Sequence, residues 1–418
     1  LTISMKQLQR LKFVSIIVVC VLVLILFHQP IKATPTKTVF VPDNFPTIQA
    51  AINSASPGTI IVVRDGFYRE NLIIDIDKND LVIKSEHGPK NTIICNTGNE
   101  SDAYIVEIHG DRILFEGFTI TNDKDMLAHG MKIVSVNSII RSNIISPKGV
   151  NINTAIVLEQ CRGVTIENNT LRETYHGIVM SRSDNCKILN NLIIGMSGYG
   201  IYLEHNNNWN IIEGNDISSC IEDGIRLKGG WYTKIVWNVI TGCQISGIRV
   251  ESPTNEIYLN NFVANNQHVA IQLANTTWNS EPLDYIYDLK RYRGCLGNFW
   301  DDYKGVDSNH DGVGDTPYKI SEAQYDRYPL MELTKSYKII TATTTTYSPT
   351  TTTTYTPTTS TTTQTSSTTP TAPPTTTSSQ TITSPSQPTV GGLEIIIVVI
   401  IVAIIISLIV FSKVRRRH

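Results

Sequence analysis

The sequence predicts an all-β protein built as a right-handed parallel β-helix, and two repeats carry that prediction. A small–aliphatic–X–aliphatic pattern recurs from Gly130, Ala155, Gly177, Gly200, Gly224, Gly247 and Ala270, at steps of 25, 22, 23, 24, 23 and 23 residues. Asn143, Asn169, Asn191, Asn215, Asn238 and Asn261 keep step with it, at 26, 22, 24, 23 and 23. A fixed period near 23 marks stacked, equivalent supersecondary units. Between the markers the apolar residues alternate by two and are largely β-branched, whereas a helical repeat would place them at i, i+3, i+4 and i+7. Each strand is therefore expected to pair with its equivalents about 4.8 Å above and below, around a column of Ile, Leu and Val. Asn suits the bends because it tolerates the left-handed region and its amide can reach the Asn one coil away.

The solenoid is expected over 38–275. An open β-helix exposes its core at both ends and needs caps. At the front, Thr47 to Ala55 has helical spacing, with Thr47 as N-cap and Ile48, Ala51, Ile52 and Ala55 on one apolar face. Strand-like runs at Thr59–Val63, Leu72–Ile74, Leu81–Ile83 and Thr92–Ile94 then open the coils near residue 58, which leaves room for about nine or ten. At the back, 276–335 is expected to form a C-terminal cap. There Asp307, Asn309, Asp311 and Asp315 stand at loop positions 1, 3, 5 and 9, with Gly312 at 6 and Val313 at 7. That is the first part of a calcium loop, and Val313 holds the position whose backbone carbonyl serves as a ligand. Tyr318 stands where the bidentate Glu belongs, so Asp301, Asp302 or Asp326 would have to complete the shell. A structural Ca2+ ordering the cap is the expectation.

Other segments place the chain. Residues 1–34 read as an export signal or an uncleaved anchor: a basic start (Lys6, Arg10, Lys12) precedes an apolar run from Phe13 to Phe27. Residues 341–389 are almost only Thr, Ser and Pro, with no apolar surface to bury, and read as an extended, O-glycosylated stalk. Residues 393–411 are long and apolar enough to cross a bilayer, and 412–418 form a basic cytoplasmic tail. The expected location is the cell surface, as a single-pass membrane protein. A net charge of −2 argues against a nucleic-acid partner. Cys220 and Cys243 each lie five residues after an Asn of the repeat and should stack in adjacent coils, as a disulfide or as two small buried residues. Asn99, Asn168 and Asn275 head Asn-X-Ser/Thr sequons.

Several motifs together resemble a known family. Val41-Pro42-Asp43, Thr47 to Ile52, Pro57 to Ile60 and Asp65 to Asn71 are similar to the opening of pectin-lyase-like β-helix proteins. The Asn/Gly-Ile coils resemble NosD-type repeats. The tail from Gly297 through Asp307–Asp315 to Met331 is similar to the end of archaeal surface proteins of that group. The resemblance, over about 38–332, implies a carbohydrate-binding or sugar-hydrolase β-helix. The NosD name comes from a periplasmic protein linked to copper-site maturation of nitrous oxide reductase. The scattered Met and His residues offer no soft-ligand cluster, so copper is not expected.

Aligning the coils on the small-residue column creates two polar files. His176, Tyr199 and Asp223 stand one position before it; Tyr202, Arg226, Arg249 and Gln272 stand two after. With Glu222, Trp209 and Trp231 they form a candidate stripe. His176, Tyr199, Tyr202, Arg226, Arg249, Trp209 and Trp231 would bind a polysaccharide, the aromatics stacking on sugar faces and the Arg residues meeting carboxylates. Glu222, Asp223 and Arg226 are the candidates for proton transfer should the chain be a polysaccharide lyase or glycoside hydrolase. The plainer reading is a solvated ladder of ion pairs. A surface protein that binds carbohydrate or another extended polymer is the expectation, with an enzyme or a purely structural envelope protein as its rivals.

Overall fold

The computed structural model describes residues 37–340 apart from 99, 149–151 and 273–274. The expected signal, stalk, transmembrane segment, basic tail and Asn99 lie outside the described residues. Among the described residues, no helix is long and apolar enough to cross a membrane.

The chain winds as a parallel β-helix of about ten coils with three faces. Each coil passes through sheet 1, then sheet 2, then sheet 3, as in Ile60–Val63, Gly66–Arg69 and Leu72–Ile74. Sheet 1 has ten strands, from Thr38–Val41 to Glu256–Tyr258. Sheet 2 also has ten, from Gly66–Arg69 to Phe299–Trp300, and sheet 3 has nine, from Leu72–Ile74 to Val269–Ile271. Pairing within all three is parallel and runs coil to coil.

The repeat explains the core. On sheets 1 and 2 one central apolar residue of each of these strands points inward and stacks in a file: Ile140, Ile166, Ile188, Ile212, Ile235 and Ile257 on sheet 1, all essentially without exposure. On sheet 2 the file Ile145, Leu171, Ile193, Ile217 and Ile240 ends in Phe262. Phe262 stacks on Trp300 (4.4 Å, 6°), and Trp300 on Tyr318 (4.4 Å, 7°). These aromatic rings seal the C-terminal end of the core. The small-residue column is needed because the coils crowd there: a Cβ on Gly200 would lie 2.5 Å from the Gly224 carbonyl and 2.7 Å from Ile217.

The Asn column forms the bend between sheets 1 and 2. Asn169 Oδ1 accepts the backbone N–H of Asn143 at 3.0 Å and its amide at 3.1 Å, while Asn169 Nδ2 donates to Ile140 O at 2.9 Å. The same set repeats through Asn191, Asn215 and Asn238. Two features differ from expectation. The left-handed residue is the one before each column Asn, such as Ser142, Asn168 or Trp237, so the column is selected for its amide and not for its φ. The ladder also passes from Asn238 to Asn260 and then Asn298, not to Asn261. Asn261 is displaced by one, faces Val239 in sheet 2, and binds Thr334 of the cap.

The last coil is shorter than the pattern suggested. Arg249 pairs with Ala270, and Ile248 with Val269, so His268 and not Ala270 follows Gly247 in the small-residue column. Gln272 consequently does not extend the file above Arg249. The parallel stacking also runs on to Phe299–Trp300, beyond the expected end at 275. At the front, the helix α1 (Ile48–Ser54) packs Ile48, Ala51 and Ile52 into the core, and Thr47 accepts the Ala50 N–H as its N-cap. Glu70 takes the N–H groups of Ile48 and Gln49, a tie the sequence did not reveal.

Candidate functional site

Sheet 3 carries the stripe on its outer face. Alternation turns Ile201 and Leu203 inward and Tyr202 outward, then Ile225 and Leu227 inward and Arg226 outward. Register stacks Tyr202 on Arg226, and Arg226 on Arg249. His176, Tyr199 and Asp223 lie where the chain enters sheet 3. The His176 ring is parallel to that of Tyr199 (5.0 Å, 1°), and its Nδ1 accepts the Tyr199 backbone N–H at 3.0 Å. Tyr199 lies against Tyr202 (4.9 Å between centroids). The Arg226 guanidinium stands 5.2 Å from the Tyr199 ring centre and 5.7 Å from that of Tyr202, and donates to the Tyr199 hydroxyl. These residues therefore form one connected cluster.

The like charges of Arg226 and Arg249 are each compensated. Arg226 Nη2 pairs with Glu251 at 3.0 Å. Arg249 Nε pairs with Asp223 Oδ2 at 2.7 Å, and Ser246 donates to Asp223 Oδ1 at 2.5 Å. Asp223 is buried, with both oxygens engaged, so it acts as the anchor of Arg249. Glu222 and Arg226 are the catalytic candidates that reach solvent. Burial, then hydrogen bonding to Glu222, pushes the Tyr199 phenol up to about 12. Burial holds the His176 imidazole below its ordinary value, so the ring is uncharged at neutral pH.

Trp209 and Trp231 are exposed, but they sit in the bends that leave sheet 3, at the other end of its strands. Trp209 stacks on Tyr232 (4.2 Å, 12°) and donates its backbone N–H to Trp231 O. The structure thus divides the expected stripe into an aromatic–Arg cluster and a separate aromatic edge.

A hollow of about 290 Å³ adjoins the cluster, lined by Leu127, Asn153, Glu173, Tyr175 and Ser197. None of these residues was singled out from the sequence. Tyr175 joins hollow to stripe, its ring 4.4 Å from that of His176. The available signal was bend length. Eight residues separate Thr121 from Gly130, and nine separate Ile145 from Ala155, against four or five in later coils. Those longer bends account for the 25-residue step, and Leu127 and Asn153, which line the hollow, belong to them.

The loop at 307–315 turns its acceptors on its own backbone. Asp307 accepts the Gly312 N–H at 2.8 Å, Asp311 accepts that of Val313 at 2.8 Å, Asn309 accepts that of Asp311 at 3.0 Å, and Asp315 accepts that of Ser308 at 3.0 Å. The three Asp residues named as possible extra ligands have other partners. Asp326 is wholly buried, where it accepts the N–H of Asn298 and the indole of Trp300 at the end of the Asn ladder. Asp301 and Asp302 face His268. Cys220 and Cys243 are free, buried and adjacent. Asn168 and Asn275 are exposed.

Among curated proteins, none matches the chain in sequence. Solved structures similar to it include the periplasmic alginate epimerase AlgG in a mutant form, at 17% identity over 56% of this chain and 73% of that one, with a TM-score of 0.34. A GH87 α-1,3-glucanase catalytic domain solved with nigerose is 14% identical, over 64% and 50% of the two chains, with a TM-score of 0.38. Pectin methylesterase from carrot is 16% identical, over 57% and 84%, with a TM-score of 0.31. The family described as periplasmic copper-binding protein (NosD) matches residues 70–305, more than half of the sequence, and the chain belongs to that family.

Proposed function

We propose that the protein is a membrane-anchored surface β-helix that binds an extended carbohydrate along the outer face of sheet 3, with one sugar seated in the hollow beside Tyr175. The observation that carries this reading is the continuous cluster of His176, Tyr199, Tyr202 and Arg226 bordering that hollow. Aromatic rings present flat apolar faces to sugar C–H groups, while guanidinium and hydroxyl edges satisfy sugar hydroxyls. Parallel stacking repeats such contacts at the strand spacing, which suits a chain polymer better than a small molecule. Both Arg residues are already paired with carboxylates, so the face favours hydroxyl recognition over a dense anionic charge. Pinning of Asp223 by Arg249 and Ser246 favours binding over proton transfer.

In this reading the 341–389 stalk carries the face away from the membrane, 393–411 anchors it, and Ca2+ in the 307–315 loop stiffens the cap. The test is a glycan array on the chain, followed by titration of any hit against Tyr199→Ala and by product analysis. Binding that Tyr199→Ala weakens, without cleavage, supports the proposal. New reducing ends or unsaturated products would make the chain an enzyme. No binding across diverse polymers would leave a structural role.

A further inference from the structure

We infer that His268, Asp301 and Asp302 form a divalent-metal site that fastens the last coil to the C-terminal cap. His268 Nε2 lies 2.8 Å from Asp301 Oδ1 and 3.4 Å from Asp302 Oδ1. Each residue offers one ligand atom, and the three atoms lie within 4.8 Å of one another; among the described residues this is the one group of three His, Cys, Asp or Glu side chains so gathered. The ligands come from two segments, the bend entering the last strand of sheet 3 and the stretch just after the last strand of sheet 2.

The surroundings orient the donors. Asp301 Oδ2 accepts the Ala264 N–H at 2.7 Å, and Asp302 Oδ2 accepts the Tyr318 hydroxyl at 3.2 Å, which leaves Oδ1 of each turned toward His268. Such outer contacts are what hold ligands in register at a metal. His268 is 8% exposed and packed near Phe262 and Trp300, so its ring direction is set. Its Nδ1 lies 3.5 Å from Asn265 Nδ2, and that amide also donates to Ile240 O at 2.9 Å. That contact is at the outer limit of a hydrogen bond, and it has to give way for the ring proton to move to Nδ1 when Nε2 takes a metal. Both carboxylates reach solvent, which leaves coordination positions for water or a ligand oxygen.

One imidazole and two carboxylates make a nitrogen–oxygen set suited to zinc or manganese. It does not fit the soft chemistry of copper(I). The sulfur atoms of Met131, Met180 and Met196, and those of Cys161, Cys186 and Cys243, are buried among the coils. Among the described residues, no cysteine belongs to the group that His268 forms with the two Asp residues.

The experiment is calorimetric titration of the untagged full-length chain with Zn2+ after chelator treatment and desalting. One equivalent is expected to bind and to raise the melting temperature. Asp302→Asn, at an exposed position that should not disturb folding, is expected to weaken binding about tenfold or more. Glu281→Gln, at an exposed carboxylate outside both acidic groups, is expected to leave Zn2+ binding unchanged. Copper(I) supplied under reducing conditions is expected not to compete. No Zn2+ uptake by the parent chain, or parent-like binding by both Asp302→Asn and a folded His268→Asn, would overturn the inference and leave a plain ion pair. Copper(I) held by these same residues would overturn the choice of metal.

Discussion

Replacing Asn238 with Ala probes the physical basis of the coil stack. The side chain is fully buried. Its Nδ2 donates to Ile212 O and to Asn260 Oδ1, both at 2.9 Å, and to Val236 O at 3.0 Å. Its Oδ1 accepts the backbone N–H of Asn215 and the Asn215 amide, both at 2.9 Å. Ala removes all of these and leaves the Asn215 N–H without its partner inside the fold, whereas Ile212 O keeps its place in the parallel ladder to Lys234–Val236. A buried polar group so orphaned costs about 1–3 kcal/mol, which sets the predicted loss at about 1–3 kcal/mol. The assay is equilibrium denaturant unfolding, with Asn206→Gly as control. Asn206 is exposed and left-handed (φ 48°), a conformation Gly adopts freely, so that change should cost only a few tenths of a kcal/mol. A loss below about 0.5 kcal/mol for Asn238→Ala would refute the argument, because the bend would then not need its amides.

Three further outcomes follow from the geometry. Tyr199→Ala and Arg226→Ala should each weaken binding of a glycan hit by about 1–2 kcal/mol, roughly 5- to 30-fold in Kd; equal affinity in both variants would move the site off the aromatic cluster. Burial pushes the Asp326 carboxyl up to about 6, above its ordinary 3.8, so between about pH 4 and 6 the folded chain keeps a proton that the unfolded chain has released. Stability therefore falls as pH rises through that window, by about 3 kcal/mol, and Asp326→Asn should remove that slope from the unfolding midpoints; parallel slopes in parent and variant would contradict it. Adding Ca2+ after EGTA treatment should raise the melting temperature of the parent and not that of Asp311→Asn; no shift in the parent would remove the calcium proposal.

Much of the architecture was legible because a solenoid writes its geometry into spacing. Gly177, Gly200, Gly224 and Gly247 mark a place where only small residues fit between coils, and Asn169, Asn191, Asn215 and Asn238 mark a bend that needs an amide. Such demands repeat at every coil, so single residues expose them. The irregular places were not legible. Asn260 and Asn261 are adjacent, and nothing local says which continues the ladder; the choice depends on how Phe262 and Trp300 close the core. His268 fell outside the repeat because the last coil is shorter. Tyr175 and Glu173 escaped notice because a hollow is the space between coils with unequal bends.

On its own the sequence determined the parallel stacking, the stacked aliphatic core, the capping helix and the outward files of sheet 3. Each follows from a local pattern multiplied by the repeat. Only the tertiary structure decided that Arg249 is pinned to Asp223, that Trp209 and Trp231 stand apart from the His176–Arg226 cluster, and that His268 meets Asp301 and Asp302. Those relations join residues whose separation in sequence follows no period, and their distances are set by how bends of different length fold back across the coils.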